Sequence, residues 1–204
     1  MSTPTIPAII PLTLLEALRN IDAPVEDGLE ELAGETVSKR LGLSGTVQAQ
    51  IARYAWHADR RARVPLDEAT SVFRLVGRRP DAPLIFADAG RRAARRAAPR
   101  LPRVLGMLPA FPGRTLGGSA AAGVARRLVG GHLQVKDAEA TAEVPAPLGL
   151  DAVPEGTGCG FYGALFGELL RGLARFEGAV RHTRCRSRGD DRCEWRASAV
   201  GGYR

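Results

Sequence analysis

The sequence predicts an α+β fold, in which a helical N-terminal layer packs on a small antiparallel sheet and the chain ends in a helix followed by a β-hairpin. Three observations lead to this prediction. Apolar residues recur at helical spacing through most of residues 13–98, whereas residues 132–144 alternate in part, as strands do. Near the C-terminus, Gly189-Asp190 supplies turn residues between two strand-like segments. Helices on one side of such a sheet give the α+β class.

The N-terminal arm is predicted to be loose over residues 1–11, which hold three prolines. Thr13 can then cap a short helix that continues to Arg19. A second helix is predicted from about Leu29 to Leu41, because Gly42 is a stop signal. The helical layer therefore begins within the first twenty residues.

Three further helices follow from start signals, stop signals and apolar spacing, at about 44–61, 65–77 and 81–98. Ser44 or Thr46 opens the first of them. The predicted buried stripe of the third recurs at helical spacing: Leu84, Ile85, Ala89 and Ala93.

Residues 99–118 are rich in proline and glycine but also apolar, which predicts a buried loop or a short helix. The alanine-rich segment Ser119–Leu128 should be helical. Two strands are predicted next, at 132–135 and 140–144, so the sheet has three or four strands with the terminal hairpin. The chain thus divides into a helical part, 1–98, which is a candidate dimerisation region, and an α+β domain, 99–204.

The composition is that of a globular protein, with 45% apolar residues and a formal net charge of +7. No apolar run reaches the roughly 18 residues that a membrane span requires. The segment Ile6–Leu18 is broken by prolines and lacks the basic start of a secretory signal. We therefore expect a soluble, cytoplasmic chain.

Four metal-type ligands lie in the last quarter of the chain: Cys159, His182, Cys185 and Cys193. A turn at Gly189-Asp190 would bring the last two cysteines opposite each other, with side chains about 5 Å apart on one hairpin face. Cys159 precedes the predicted helix, and His182 begins the first hairpin strand. Three thiolates and one imidazole are a usual tetrahedral ligand set for Zn²⁺, so a zinc site is predicted to close the hairpin.

The spacing of His182 and Cys185 sets a condition on this site. Side chains three residues apart on a regular strand face opposite ways, so these two converge only with a bulge or an irregular strand start. Two alternatives stay open on spacing alone. Cys185 and Cys193 could form a cross-strand disulfide that leaves Cys159 unpaired, or all three could be buried free thiols.

The stretch 156–196 resembles the C-terminal part of the vinyl-4-reductase domain family. The resemblance is carried by the entry Gly-Cys-Gly-Phe-Tyr at 158–162, an amphipathic helix, and an ending of the form Cys-x-x-x-Gly-Asp-x-x-Cys-x-Trp over 185–195. This family includes ligand-sensing domains of aromatic-responsive transcription activators and a small protein of bacteriochlorophyll synthesis. It is also related in fold to subunits of a vesicle-tethering complex.

The resemblance implies a zinc ion on Cys159, Cys185 and Cys193. In the sensor members the fourth ligand is a glutamate three residues before the second cysteine, where this chain has His182. Imidazole is an equally good zinc ligand, and four protein ligands leave no open coordination position. The zinc is therefore expected to be structural.

By position in the resembled family, five residues are candidates for contact with a small hydrophobic or aromatic ligand: Phe111, Val135, Tyr162, Phe166 and Val180. They would surround an apolar cavity between the sheet and the helix Phe161–Phe176. The resemblance implies a non-catalytic binding or sensing domain that forms a homodimer. The alternative is an accessory or carrier protein of tetrapyrrole (bacteriochlorophyll) biosynthesis, and a third hypothesis is a scaffold without a ligand.

Residues 158–163 also match GxGxxG, a pattern of dinucleotide-binding loops, but no buried strand precedes them. The glycines are instead interpreted as serving the turn at Cys159 and close helix packing at Gly163 and Gly167. Scattered acidic residues lack the pairing that acid–base catalysis needs, so we expect no catalytic site.

A run of arginines covers one face of a predicted helix: Arg91, Arg92, Arg95 and Arg96, with Arg100 and Arg103. The favoured interpretation is a solvated face opposite the buried alanines. A phosphate-binding stripe for nucleic acid is the weaker alternative, since no aromatic residues interleave with the run, and an acidic partner or ligand carboxylate is a third. Trp56 and His57 could line a pocket, although a packing role is favoured for them.

Overall fold

The computed structural model describes residues 4–23, 41–98, 110–136, 138–153 and 156–199, with side chains from residue 116 onward in the third range. Within these ranges the α+β class is confirmed. The helices are α1 Ile9–Asp22, α2 Gly45–Asp59, α3 Leu66–Gly77, α4 Ala82–Ala97, α5 Ala110–Val129, α6 Leu148–Ala152 and α7 Cys159–Ala174. The strands are β1 Thr5–Pro7, β2 Arg63–Pro65, β3 His132–Lys136, β4 Glu139–Val144, β5 Val180–Arg184 and β6 Cys193–Ser198.

The N-terminal arm is not loose from residue 4 onward. β1 pairs antiparallel with β2, and α1 begins at Ile9, well before the expected cap at Thr13. Pro11 is compatible with this start because the first helical turn has no intrahelical partner for its N–H groups. The Thr13 hydroxyl instead donates within the helix, to the carbonyl of Ile9 at 2.9 Å.

The three helices predicted over 44–98 are confirmed. Ser44 caps α2, where its side-chain oxygen accepts a hydrogen bond from the Val47 amide at 3.3 Å. In α4 the buried stripe holds Ile85 and Ala89, but Leu84 is 65% exposed. One residue is about 100° around a helix, so Leu84 points away from the side that its neighbour buries. The helix predicted over 29–41 lies outside the described residues.

Helix α7 is the centre of the fold, because α4 packs on one side of it and α5 on another. Glycines allow both contacts. A Cβ on Gly90 of α4 would lie 2.2 Å from the Phe161 carbonyl oxygen, and one on Gly117 of α5 would lie 2.0 Å from that of Leu173. Helix α5 begins at residue 110, whereas the sequence predicted a separate helix only from Ser119.

The four-stranded sheet has the order β3-β4-β6-β5 and is antiparallel throughout. Both strands predicted within 132–144 are confirmed. Trp195 in β6 is 1% exposed and lies between α7 and the sheet, in ring contact with Tyr162 and Phe166. Buried residues from both sides of position 98 join one hydrophobic core. The division of the chain at that position stays a prediction.

Candidate metal centre

The four predicted ligands meet at the end of the sheet. Cys159 is the first residue of α7, His182 lies within β5, Cys185 follows β5, and Cys193 opens β6. Their ligand atoms all lie within 4.8 Å of one another. Because the central helix and the terminal hairpin each contribute, a metal ion bound here would tie these two elements together.

The three cysteines are free thiols and buried, with exposed fractions of 2% or less. The sulfurs of Cys159 and Cys185 are 3.9 Å apart, far beyond the S–S bond length of about 2.05 Å. Because all three cysteines are free, the disulfide alternative between Cys185 and Cys193 is not what this structure holds. The group is a thiol cluster that could hold a metal ion.

A bulge in β5 brings His182 and Cys185 to the same point. His182 pairs with Trp195 across the strands, but Arg184 pairs with Glu194, so Thr183 is an extra residue on β5. The sequence had predicted that His182 and Cys185 could converge only with a bulge or an irregular strand start, and the structure has this bulge. The His182 ring lies flat on the Trp195 indole, with centroids 4.7 Å apart and planes 12° apart. This stacking fixes the orientation of the ring.

One nitrogen of His182 is left for a ligand. Nε2 is buried and has no hydrogen-bond partner among the described residues, whereas the ring does have a hydrogen bond to the Arg184 backbone. Burial and the positive charge of Arg188 lower the pKa of His182, so the imidazole is neutral near pH 7. A neutral ring held at one nitrogen, with the other unpaired, is typical of a metal-ligating histidine.

The loop between β5 and β6 is closed by hydrogen bonds around Cys185. The Asp190 carboxylate accepts from the Cys185 amide at 2.6 Å, and the Cys185 carbonyl accepts from the amides of Arg188 and Asp190 at 2.8 and 3.2 Å. Gly189 has a φ of +92°, a left-handed conformation that favours glycine. The Gly-Asp turn predicted from sequence is confirmed, although the loop is wider than a two-residue hairpin.

Donors also reach the sulfur atoms. The Arg186 amide donates to Cys193 Sγ at 3.5 Å, and Ser187 Oγ lies 2.9 Å from Cys185 Sγ. Burial disfavours the Cys185 thiolate, but hydrogen bonds from Ser187 outweigh it and lower the pKa of Cys185. These contacts support negative charge on sulfur, which a metal ligand needs.

The other two thiols are held neutral when no cation is present. Burial raises the pKa of Cys159, and the neighbouring Cys193 and Cys185 raise it further. Burial also raises the pKa of Cys193, although its hydrogen bond from the Arg186 backbone acts in the opposite direction. Three thiolates this close repel one another, and a divalent cation would remove that cost.

Gly156 is a residue of the site that sequence reasoning did not single out. Its φ is +76°, and a Cβ there would lie 2.6 Å from Ser187 Oγ and 3.3 Å from Cys185 Sγ. Only a glycine fits this approach without displacing the loop. Gly156 lies three residues before Cys159, and this proximity in the sequence could have identified it as part of the site.

The glycines of the GxGxxG match serve packing, as the sequence interpretation expected. A Cβ on Gly163 would lie 3.3 Å from the Trp195 indole nitrogen, and one on Gly167 would lie 3.4 Å from Val180. Both approaches place β5 and β6 close to α7.

An open groove of about 470 Å³ runs along this glycine face, beside the metal cluster. It lies between α7 and β5, with Arg91 of α4 on its rim and Cys159, His182 and Trp195 among its lining residues. A groove of this volume is in the range of small-molecule sites.

The side chains of four of the five predicted ligand-contact residues lie among the described residues. Val180 lines the groove. Tyr162 and Phe166 are core residues, at 1% and 0% exposure, and the Tyr162 hydroxyl accepts from the Leu148 amide at 2.7 Å. Val135 packs against Gly118 of α5, and the side chain of Phe111 lies outside the described residues.

Trp56, His57 and three arginines of the run have partners within the fold, whereas Arg100 and Arg103 of the run lie outside the described residues. Trp56 is 54% exposed and carries the Arg60 guanidinium 3.9 Å above its ring, and it touches His57 edge-on. Three arginines of the run form ion pairs, Arg92 with Asp88, Arg95 with Glu168 and Arg96 with Glu16, each at 2.7 Å.

No protein-family model, curated protein or solved structure matches this chain. The likeness to the vinyl-4-reductase domain family thus depends on the sequence features within 156–196. Among the described residues, no helix is long and apolar enough to cross a membrane.

Proposed function

We propose that this chain is a non-catalytic binding or sensing domain for a small hydrophobic or aromatic molecule, stabilised by a structural Zn²⁺ on Cys159, His182, Cys185 and Cys193. The observation that carries the metal part is the buried group of four ligand atoms within 4.8 Å. Zinc with Zn–S bonds of about 2.3 Å in a tetrahedron separates two sulfurs by about 3.8 Å. The distance between Cys159 Sγ and Cys185 Sγ is 3.9 Å.

The donor set favours zinc over harder cations. Thiolate sulfur and imidazole nitrogen suit Zn²⁺, whereas Ca²⁺ and Mg²⁺ prefer oxygen ligands. Four protein ligands fill a tetrahedral zinc, so its role is to hold α7 to the hairpin and not to activate a water molecule. In a reducing compartment such as the cytoplasm, the cysteines stay reduced and remain available as metal ligands.

The groove beside the site supports the binding part of the proposal. Small residues of α7 and Val180 of β5 are among its lining residues, so it offers an apolar surface to a flat molecule. The metal fixes both walls, because Cys159 begins α7 and His182 lies in β5. A ligand would therefore meet a rigid surface, which lowers the cost of binding. By its resemblance to the sensors, the chain is proposed to act as a homodimer.

Native mass spectrometry of the purified chain tests these parts together. We expect one zinc per chain, a dimer mass and, where a ligand co-purifies, a further mass that a Cys193→Ser variant no longer retains. A metal-free chain that is fully folded would contradict the zinc site. Absorption spectra with added porphyrin address the tetrapyrrole alternative, which predicts a shifted porphyrin band with the wild-type chain.

A further inference from the structure

We propose that the groove beside the metal cluster takes a small organic anion, whose flat apolar body lies on the glycine face of α7 and whose negative group pairs with Arg91. This inference rests on the proposed binding function and adds the charge of the ligand. It starts from the arginine run of α4, whose four members have different surroundings.

Arg91 is the member of the run that has no internal partner. Arg92, Arg95 and Arg96 each form an ion pair at 2.7 Å with a carboxylate of the chain. Within the described part of the chain, Arg91 has no hydrogen bond or ion pair. Its side chain is half-buried and lies in the wall of the groove. A guanidinium without an internal partner in the wall of a groove can pair with a negative group of a molecule bound there.

The groove holds no free carboxylate that could neutralise Arg91. Glu168 is the acidic residue among the described groove-lining residues, and two other arginines already bind it. Its Oε1 accepts from Arg95 at 2.7 Å and its Oε2 from Arg171 at 3.0 Å. The groove lining thus carries two guanidinium groups, those of Arg91 and Arg171, against one carboxylate, and the excess positive charge favours an anionic ligand.

The rest of the groove wall suits a flat apolar body. Gly160, Gly163, Ala164 and Gly167 of α7 are among its lining residues, and so is Val180 of β5. A guanidinium pairs with a carboxylate through two parallel hydrogen bonds. An aromatic carboxylate therefore fits both parts of the surface, the neutral floor and the charged rim.

The test compares 2-naphthoate with the neutral 2-naphthamide, two compounds of nearly the same shape. The zinc-loaded chain carries Trp56→Phe, so that Trp195 provides the single indole N–H signal in an NMR titration. We expect naphthoate to shift this signal and to bind about tenfold more tightly than the amide, the low end for a charge-assisted hydrogen bond. Added salt should weaken the binding of naphthoate alone.

Arg91→Ala should lower the affinity for naphthoate about tenfold and leave that for naphthamide unchanged, with part of the loss restored in Arg91→Lys. Arg92→Ala is the matched control, because it removes the same charge one residue along α4, outside the groove lining. Equal affinities for the two compounds, or equal losses in both alanine variants, would overturn the inference and leave the proposed function standing. If neither compound bound the wild-type chain, the proposed function would fail as well.

Discussion

Loss of one metal ligand should lower the free energy of unfolding, and the length of the loop that the metal closes sets a minimum for the loss. Cys185→Ser removes the ligand that joins Cys159, 26 residues before it in the chain, to the hairpin. A cross-link that closes a loop of this length lowers the entropy of the unfolded chain, which stabilises the folded state by about 3.5 kcal/mol at 25 °C. Structural zinc contributes more than this, about 10 kcal/mol or more of binding free energy in small zinc domains. The smaller figure is therefore a lower bound for the cost of the variant.

For a chain of about 200 residues, each kcal/mol shifts Tm by about 2–4 °C, so the variant should melt at least about 7–14 °C lower. Circular dichroism melts with and without a chelator measure the effect. The wild type should lose stability on chelation, whereas Cys185→Ser should be insensitive, and hydrogen exchange should locate the loss at the start of α7 and in the hairpin. A variant with the wild-type Tm, together with a wild type that ignores the chelator, would refute the reasoning.

Three further predictions concern the same centre. His182→Ala should weaken zinc binding by at least about tenfold, because even the loss of a residue that hydrogen-bonds to a metal ligand has an effect of this size. His182→Glu should retain the metal, since a carboxylate can also bind zinc. Competition with a chromophoric chelator would measure both affinities. Gly156→Ala should lower the free energy of unfolding by about 1–3 kcal/mol, because Gly156 has a positive φ and a Cβ there would meet Ser187. Gly45→Ala is the control, since open space surrounds Gly45 and its substitution should not lower this free energy. Denaturant titration of both variants would measure the difference. Since burial raises the pKa of Cys159, zinc binding should release protons between about pH 6 and 8 and weaken as pH falls, which calorimetry in buffers of different ionisation enthalpy would detect; a pH-independent affinity would argue against thiolate ligation.

The metal centre could be predicted because its signals are local. Gly189-Asp190 indicates the turn, and the positions of three cysteines and a histidine around it limit what the side chains can reach. The bulge at Thr183 could not be predicted, only required, because it depends on how β5 pairs with β6, which begins ten residues further along the chain. Local chemistry thus specified the ligands, and tertiary pairing decided whether they converge.

Which residues line the groove could not be predicted from the sequence, for a physical reason. Tyr162 and Phe166 have the apolar rings expected of a binding pocket, but the same property draws them into the core against Trp195. The groove is lined mainly by glycine and alanine, whose contribution is the space they leave, and sequence patterns carry little signal for that. The early start of α1 was missed for a related reason, since Pro11 reads as a helix breaker unless its place in the first turn is known.

The order in which the ligands leave the ribosome has a consequence for assembly in the cell. Cys193 is synthesised about 34 residues after Cys159, which at ~5–20 residues per second is a delay of about 2–7 s. The nascent chain holds one thiol of the cluster until Cys185 is made, about 26 residues after Cys159, and two thiols until Cys193 follows. A site with all four ligands is therefore complete only after Cys193 is made, and full coordination of a metal ion would follow that step.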